Sequence, residues 1–333
     1  MNSIKVLISV FVISYFLVGC QFGNSSNDKN IQVEVIPFYK DLNETKADSL
    51  ISKIEKWKRN YGNFLEAYSL KVIKIGSPTD AEYPIYLKKF LEYEPGKEVY
   101  AKCLNVFGDF SFYHSDLNKS FSRYLNFFPN TEIPKVFLQI SGFNQSMVVD
   151  SGFIGISIDR YLGSDCKFYE WLAFPQYLRA KMVPQKVVPD VMKAIALTDF
   201  VYNDSIDDVI NNMIYKGKVL WFVKEMNPDM PDSLLFDYSK SQLRWCEKHE
   251  AEMWAGMVEA KHLFNTERMV IQKYVGEAPF TYYFGQDSPG EAGVYLGYQI
   301  VEAYMLNNKN VSLVDLMNES DGRKILSKSA FRP

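Results

Sequence analysis

The stretch from Asn211 to Met226, "NNMIYKGKVLWFVKEM", constrains the fold more than any other part of the chain. It reads as a buried helix, yet Tyr215, Lys216, Gly217 and Lys218 interrupt its apolar run. A glycine inside a helix costs roughly 1 kcal/mol relative to alanine, and lysines are expensive to bury. Ser205 and Asp208 stand where they can cap the helix, and Asn227-Pro228 ends it. Two accounts of such a centre are open. Either the helix lies in the core with its lysines reaching solvent along their stems, or it lines a cleft.

From Pro184 onward the chain reads as almost wholly helical. Pro189 falls in the first turn of "PDVMKAIALTDFVY", and Ser239 with Gln242 matches a capping box before "LRWCEKHEAEMWAGMVEAKHLF". Ser288-Pro289-Gly290-Glu291 predicts another box with proline at the first helical position. The helix it opens carries Gly293 and Gly297 four residues apart, which lets another backbone approach closely. Ser312 and Asp315 start a last short helix.

The first half mixes periods. Ile31 to Pro37 alternates like a strand, and Leu50, Ile54, Trp57 and Tyr61 recur at helical spacing, with Thr45 and Asp48 as a capping pair. An aromatic-rich helical tract runs from Ala81 to about Asn126. A strand is predicted at Val136 to Ile140, with two shorter β-branched runs around Val148 and Ile156. The fold class that follows is α+β, mostly helical with a small central sheet. No repeat or low-complexity linker breaks residues 31–333, which read as a single globular domain.

Composition narrows the function. Aromatic residues make up 15% of the 333, which favours a thick core over disorder. A net charge of -3 with no Lys/Arg run argues against a nucleic-acid partner. The N-terminus carries a more specific signal. Lys5 precedes an apolar stretch, Val6 to Val18, too short to span a bilayer comfortably. It ends in Leu17-Val18-Gly19-Cys20, which resembles the lipobox of bacterial lipoproteins; the resemblance implies lipidation of the Cys20 thiol and cleavage just before it. Residues 1–19 are then a signal peptide and 20–30 a polar tether. Cys103, Cys166 and Cys246 remain, which allows at most one disulfide and fits no CxxC metal pattern.

Catalytic constellations are sparse. His114, His249 and His262 are the three histidines. The sequence "HEAEM" from His249 approaches the zinc-protease pattern but has Met253 where the second histidine belongs, and a thioether is a poor zinc ligand. His249, Glu252 and Glu259 share a helix face, which a solvated amphipathic helix also explains. No G-x-S-x-G is present, and "GQDSPGEAG" lacks the lysine of a phosphate loop. Asp159-Arg160, after the strand "FIGISI", is either a functional pair at a strand end or an ordinary ion pair.

Several stretches together resemble the gliding motility lipoprotein GldB family of Bacteroidetes. They are "GISIDRYLGSDCKFY", "VPDVMKAI", "MIYKGKVLWFVKEMNPDMPDSLLF", "QLRWCEKHEAEMW", "APFTYYFGQDSPGEAGVYLGYQIVEAYM" and "ILSKSAFRP". The family's pattern often carries arginine where this chain has Glu291. The resemblance implies a degenerate zincin-like fold, in which the helix after the sheet would bear a zinc motif and lie over a cleft. Here that helix offers Tyr215, Lys216 and Lys218, which can donate hydrogen bonds but cannot hold Zn²⁺. The candidate degenerate cleft therefore comprises Asp159, Arg160, Tyr215, Lys216, Lys218 and Glu291, with no metal, cofactor or catalytic residue.

The function that follows is a non-catalytic outer-membrane lipoprotein, held by its lipid anchor and acting through contacts with motility or secretion proteins of the envelope. The alternatives are a cryptic zincin-like hydrolase centred on His249 and a periplasmic ligand-binding lipoprotein using the degenerate cleft.

Overall fold

The computed structural model describes residues 31–333, so the leader, the tether and Cys20 lie outside the described residues. The chain enters through β1 (Val35–Ile36) and continues through α1 (Phe38–Asn43), α2 (Leu50–Tyr61) and α3 (Asn63–Ala67). The aromatic tract then divides into α4 (Tyr83–Glu92), α5 (Glu94–Phe107) and α6 (Ser111–Phe127). Next come β2 (Lys135–Gln139), β3 (Met147–Asp150) and β4 (Phe153–Ser157). The helical half holds α7 (Lys167–Trp171), α8 (Gln176–Arg179), α9 (Val187–Asp199), α10 (Val209–Met226) and α11 (Asp232–Leu235). It ends with α12 (Lys240–Glu259), α13 (Arg268–Val275), α14 (Ala292–Asn307), α15 (Leu313–Asn318) and α16 (Gly322–Ser329). This is the α+β class, with a four-stranded sheet in the order β1-β2-β4-β3.

The sheet divides the interior. Strands β1, β2 and β4 run parallel, and β3 pairs antiparallel to β4 at the edge, with Met147 opposite Ile156. Side chains alternate between the faces of a strand. Val136, Leu138, Ile154 and Ile156 join the large core shared with α9, α10 and α14. Phe137, Val148 and Phe153 join a smaller core on the other face. Rings build that smaller core: Phe38 meets Trp57, Tyr61, Phe64 and Tyr68 edge-on, and Phe64 stacks on Phe137 at 3.8 Å.

Gly217 is in α10 because α10 crosses α14 there. A Cβ on Gly217 would fall 2.5 Å from the Gly297 carbonyl oxygen and 2.6 Å from the Tyr298 nitrogen. One on Gly297 would overlap the Met213 carbonyl. Two helix backbones touch at this point, and only glycine on both sides leaves room. The roughly 1 kcal/mol of lost helix propensity is offset by the burial of both helices. Gly293 serves a different neighbour, since a Cβ there would meet the Tyr274 carbonyl of α13 at 2.7 Å.

Several predicted helix starts need correction. Thr45 and Asp48 do not cap α2; the Thr45 hydroxyl donates to the Asp41 carbonyl, and a short 3₁₀ turn, Ala47–Ser49, leads into the helix. Asp208 caps α10 by accepting from the Asn211 N–H at 2.9 Å, while Ser205 lies in an earlier turn. The Ser288 box does not form. The Ser288 hydroxyl donates to the Gly285 carbonyl at 2.6 Å, and Glu291 adopts a left-handed backbone with φ of 58°. The Thr281 hydroxyl oxygen, from outside the helix, accepts the Ala292 N–H at 2.8 Å. The boxes at Ser239–Gln242 and Ser312–Asp315 are both present.

Candidate functional site

The six residues of the expected cleft separate into three places. Residues 215 and 218 share one face of α10, and residue 216 lies on another. Tyr215 and Lys218 line a cavity of about 230 Å³ against α15 and α16, whereas Arg160, Lys216 and Glu291 line one of about 400 Å³. Asp159 belongs to neither.

Asp159 is a fully buried brace. Its carboxylate accepts the Ser141 N–H at 3.1 Å, the Phe143 N–H at 2.7 Å and the Ser141 hydroxyl. Those donors shape the turn after β2, where Gly142 and Phe143 both have positive φ. Burial pushes the Asp159 carboxyl above its usual range despite these bonds. Arg160 donates to the Phe143 carbonyl at 3.1 Å and lies over the Phe174 ring. Asp159 and Arg160 thus hold one turn from two sides and do not form an ion pair with each other.

On the smaller cavity, Lys218 is 5% exposed and donates to the carbonyls of Met317 at 3.2 Å and Glu319 at 2.6 Å. It thereby satisfies groups that the end of α15 leaves unpaired. Burial lowers its pKa to about 8, with Glu319 only partly opposing. Tyr215 donates to the Phe200 carbonyl at 2.9 Å and packs on Tyr202. Both polar groups are occupied in holding neighbouring backbone.

The larger cavity gathers charge from seven parts of the chain. Arg160 follows the C-terminal end of β4; Lys186 immediately precedes α9, which adds the half-buried Asp190 and Lys193; Lys216 comes from α10. Asp237 follows α11, Glu277 follows α13, and Glu291 precedes α14. Lys181, from the loop after α8, pairs with Glu291 at 2.9 Å and Glu277 at 3.2 Å. Lys186, only 4% exposed, pairs with Asp237 at 2.8 Å and Asp190 at 3.4 Å. Lys216 donates to the Val275 carbonyl at 2.5 Å and reaches Glu291 at 3.6 Å.

These charges set one another's ionisation. Burial, joined by the like charges of Lys193 and Lys181, pulls Lys216 below the ordinary lysine range against the attraction of Glu291. Burial opposes the charge on Glu291, but Lys181, Lys216 and Lys193 outweigh it and hold that carboxyl below its ordinary range. Asp237 and Glu291 both sit on left-handed backbone, an uncommon conformation for residues with a side chain. Sequence reasoning missed Lys181, Lys186, Asp190, Lys193, Asp237 and Glu277. The spacing of Lys186, Asp190 and Lys193 was a legible signal, since i, i+4, i+7 falls on one helix face.

The histidines are engaged elsewhere. The His114 Nε2 lies 2.8 Å from the Val33 carbonyl, His249 Nδ1 lies 2.7 Å from that of Trp245, and His262 Nδ1 lies 2.9 Å from the Tyr274 hydroxyl. Glu252 and Glu259 are exposed. Among the described residues no three His, Cys, Asp or Glu side chains converge where they could hold a metal ion, and no helix is long and apolar enough to cross a membrane.

The described residues thus define an α+β protein, helical around a small mixed sheet, with a charged cavity beyond the C-terminal end of β4. Residues 21–333 match the family described as "Gliding motility protein GldB", and the chain belongs to that family. No curated protein and no solved structure matches it.

Proposed function

We propose that the protein is a non-catalytic lipoprotein of the gliding-motility apparatus, anchored in the outer membrane through Cys20 and acting by contacts with other envelope proteins. Family membership supplies the motility context. The observation that carries the non-catalytic reading is the employment of the residues that hydrolytic chemistry would need. All three histidines are joined to groups of the fold itself, and the three thiols are buried. Burial raises the Cys103 thiol far above its usual range and Cys246 to about 12, so neither is a ready nucleophile. A zincin-like descent is supported by element order alone: the sheet precedes α10, whose centre carries lysines that repel a metal cation.

A strain carrying the triple variant His114→Ala, His249→Ala, His262→Ala tests this reading. Colony spreading is expected to survive wherever the protein still accumulates. Loss of spreading with an undiminished protein level would favour a hydrolase. Cys20→Ala is expected to leave the membrane fraction; retention there after signal cleavage would contradict the anchor.

A second reading, a ligand-binding lipoprotein, is favoured by one observation. The cavity of about 400 Å³ falls within the size range of small-molecule sites.

A further inference from the structure

The cavity beside Lys216 contains more positive charge than its own carboxylates neutralise. Lys181 and Lys186 each pair with two carboxylates. Lys216 shares Glu291 with Lys181 and is the more distant partner. Lys193 lines the same space and, among the described residues, forms no ion pair or hydrogen bond. Arg160 spends one guanidinium nitrogen on the Phe143 carbonyl, and its buried Nε has no partner. Cations from the end of β4, from α9 and from α10 therefore converge with only a share of one carboxylate among them. Unpaired buried donors and crowded like charges both cost free energy, and an anion placed between them removes both costs.

The remaining lining says which anion. Asp190, Asp237, Glu277 and Glu291 face the same cavity and would repel a doubly charged phosphate. A ligand with one carboxylate and one ammonium meets both signs. Ser146 and Gln272 add uncharged donors and acceptors suited to amide groups.

We propose that this cavity binds short zwitterionic peptides, with the terminal carboxylate on Lys193, Lys216 and Arg160 and the ammonium among the lining carboxylates. The proposal rests on the ligand-binding reading of the cavity and is independent of the lipid anchor and the motility contacts.

Calorimetric titration of the detergent-solubilised full-length protein with tri-L-alanine, at pH 7 and low salt, tests it. Saturable binding is expected, weakened about tenfold when the peptide carboxylate is an amide and about tenfold by Lys193→Met. Lys193→Arg should restore most of the affinity. Lys193 forms no ion pair or hydrogen bond among the described residues, so the melting temperature of Lys193→Met serves as the control for folding. Equal binding of tri-alanine and its amide would keep a ligand site and overturn the carboxylate assignment. Binding of inorganic phosphate with no binding of tri-alanine would overturn the peptide. Absence of binding by every probe would overturn both the proposal and the ligand-binding reading.

Discussion

Lys216 and Lys218 lie two residues apart on α10, and they differ in almost every physical respect. Lys218 is nearly inaccessible, faces backbone carbonyls and meets no carboxylate within ion-pair distance. Lys216 is 39% exposed along its side chain and sits in a field of eight other charged groups, one of which, Lys193, forms no ion pair or hydrogen bond among the described residues. Gly217, between them, is pressed against α14. One helix therefore separates a cavity whose polar groups complete the fold from a cavity whose polar groups exceed what the fold uses. The difference teaches that a buried lysine is read by its partners and not by its depth.

The largest expected effect comes from forcing apart α10 and α14 where their backbones touch. Gly297→Leu places a side chain on the Met213 carbonyl. Overpacking of this kind costs roughly 1–3 kcal/mol, and more where backbone is the obstacle. Urea denaturation should show a loss of at least about 3 kcal/mol. A variant with an unchanged midpoint and slope would mean that α10 and α14 do not touch at this glycine.

Next comes the Lys218 side. Its folded pKa, about 8, lies below that of an unfolded lysine. The unfolded chain therefore binds more protons between those values, so the contribution of Lys218 to stability rises as pH rises from about 8 toward 10. Lys218→Met should flatten that rise in the difference between the two stability curves. Parallel curves for wild type and variant across pH 7 to 10 would contradict the buried, charged lysine.

A smaller effect is expected from Glu291→Gln, which deprives Lys181 and Lys216 of a shared carboxylate. We expect a loss of about 1–2 kcal/mol at neutral pH. Because the Glu291 carboxyl is held below its ordinary range, its contribution is present above the unfolded value and is lost as pH falls through the folded one. The wild type and the variant should therefore converge in acid. The smallest effect is that of Lys193→Met, within about 0.5 kcal/mol of wild type by thermal melting, since no contact is broken. A larger loss would reveal a structural partner for Lys193.

Much of the architecture was legible in the sequence where local rules act alone. The spacing of Leu50, Ile54 and Trp57 marks the buried face of α2, and the unbroken apolar run through Val136, Phe137 and Leu138 marks a strand covered on both faces. Ser239 and Ser312 cap their helices through neighbours three residues away. Ser288 offers the same local signal and fails because Thr281 supplies the capping oxygen from across a loop. The candidate cleft fails in a related way. Grouping Tyr215, Lys216 and Lys218 ignored the rotation of about 100° per helical residue. Glu277, Asp237 and Lys181 come from loops whose meeting depends on tertiary packing, and no periodicity announces it. Cys20 and the proposed anchor lie outside the described residues.

The division of labour across α10 is tested most directly by measuring tri-alanine affinity and the pH dependence of stability together, on Lys216→Met and Lys218→Met. Lys216→Met should lose about tenfold in affinity and keep most of the rise in stability above pH 8, because Lys218, the more strongly depressed of the two lysines, is still present. Lys218→Met should lose that rise and bind tri-alanine as the wild type does. The opposite pattern, or two variants that behave alike, would contradict the assignment of one cavity to the fold and the other to a ligand.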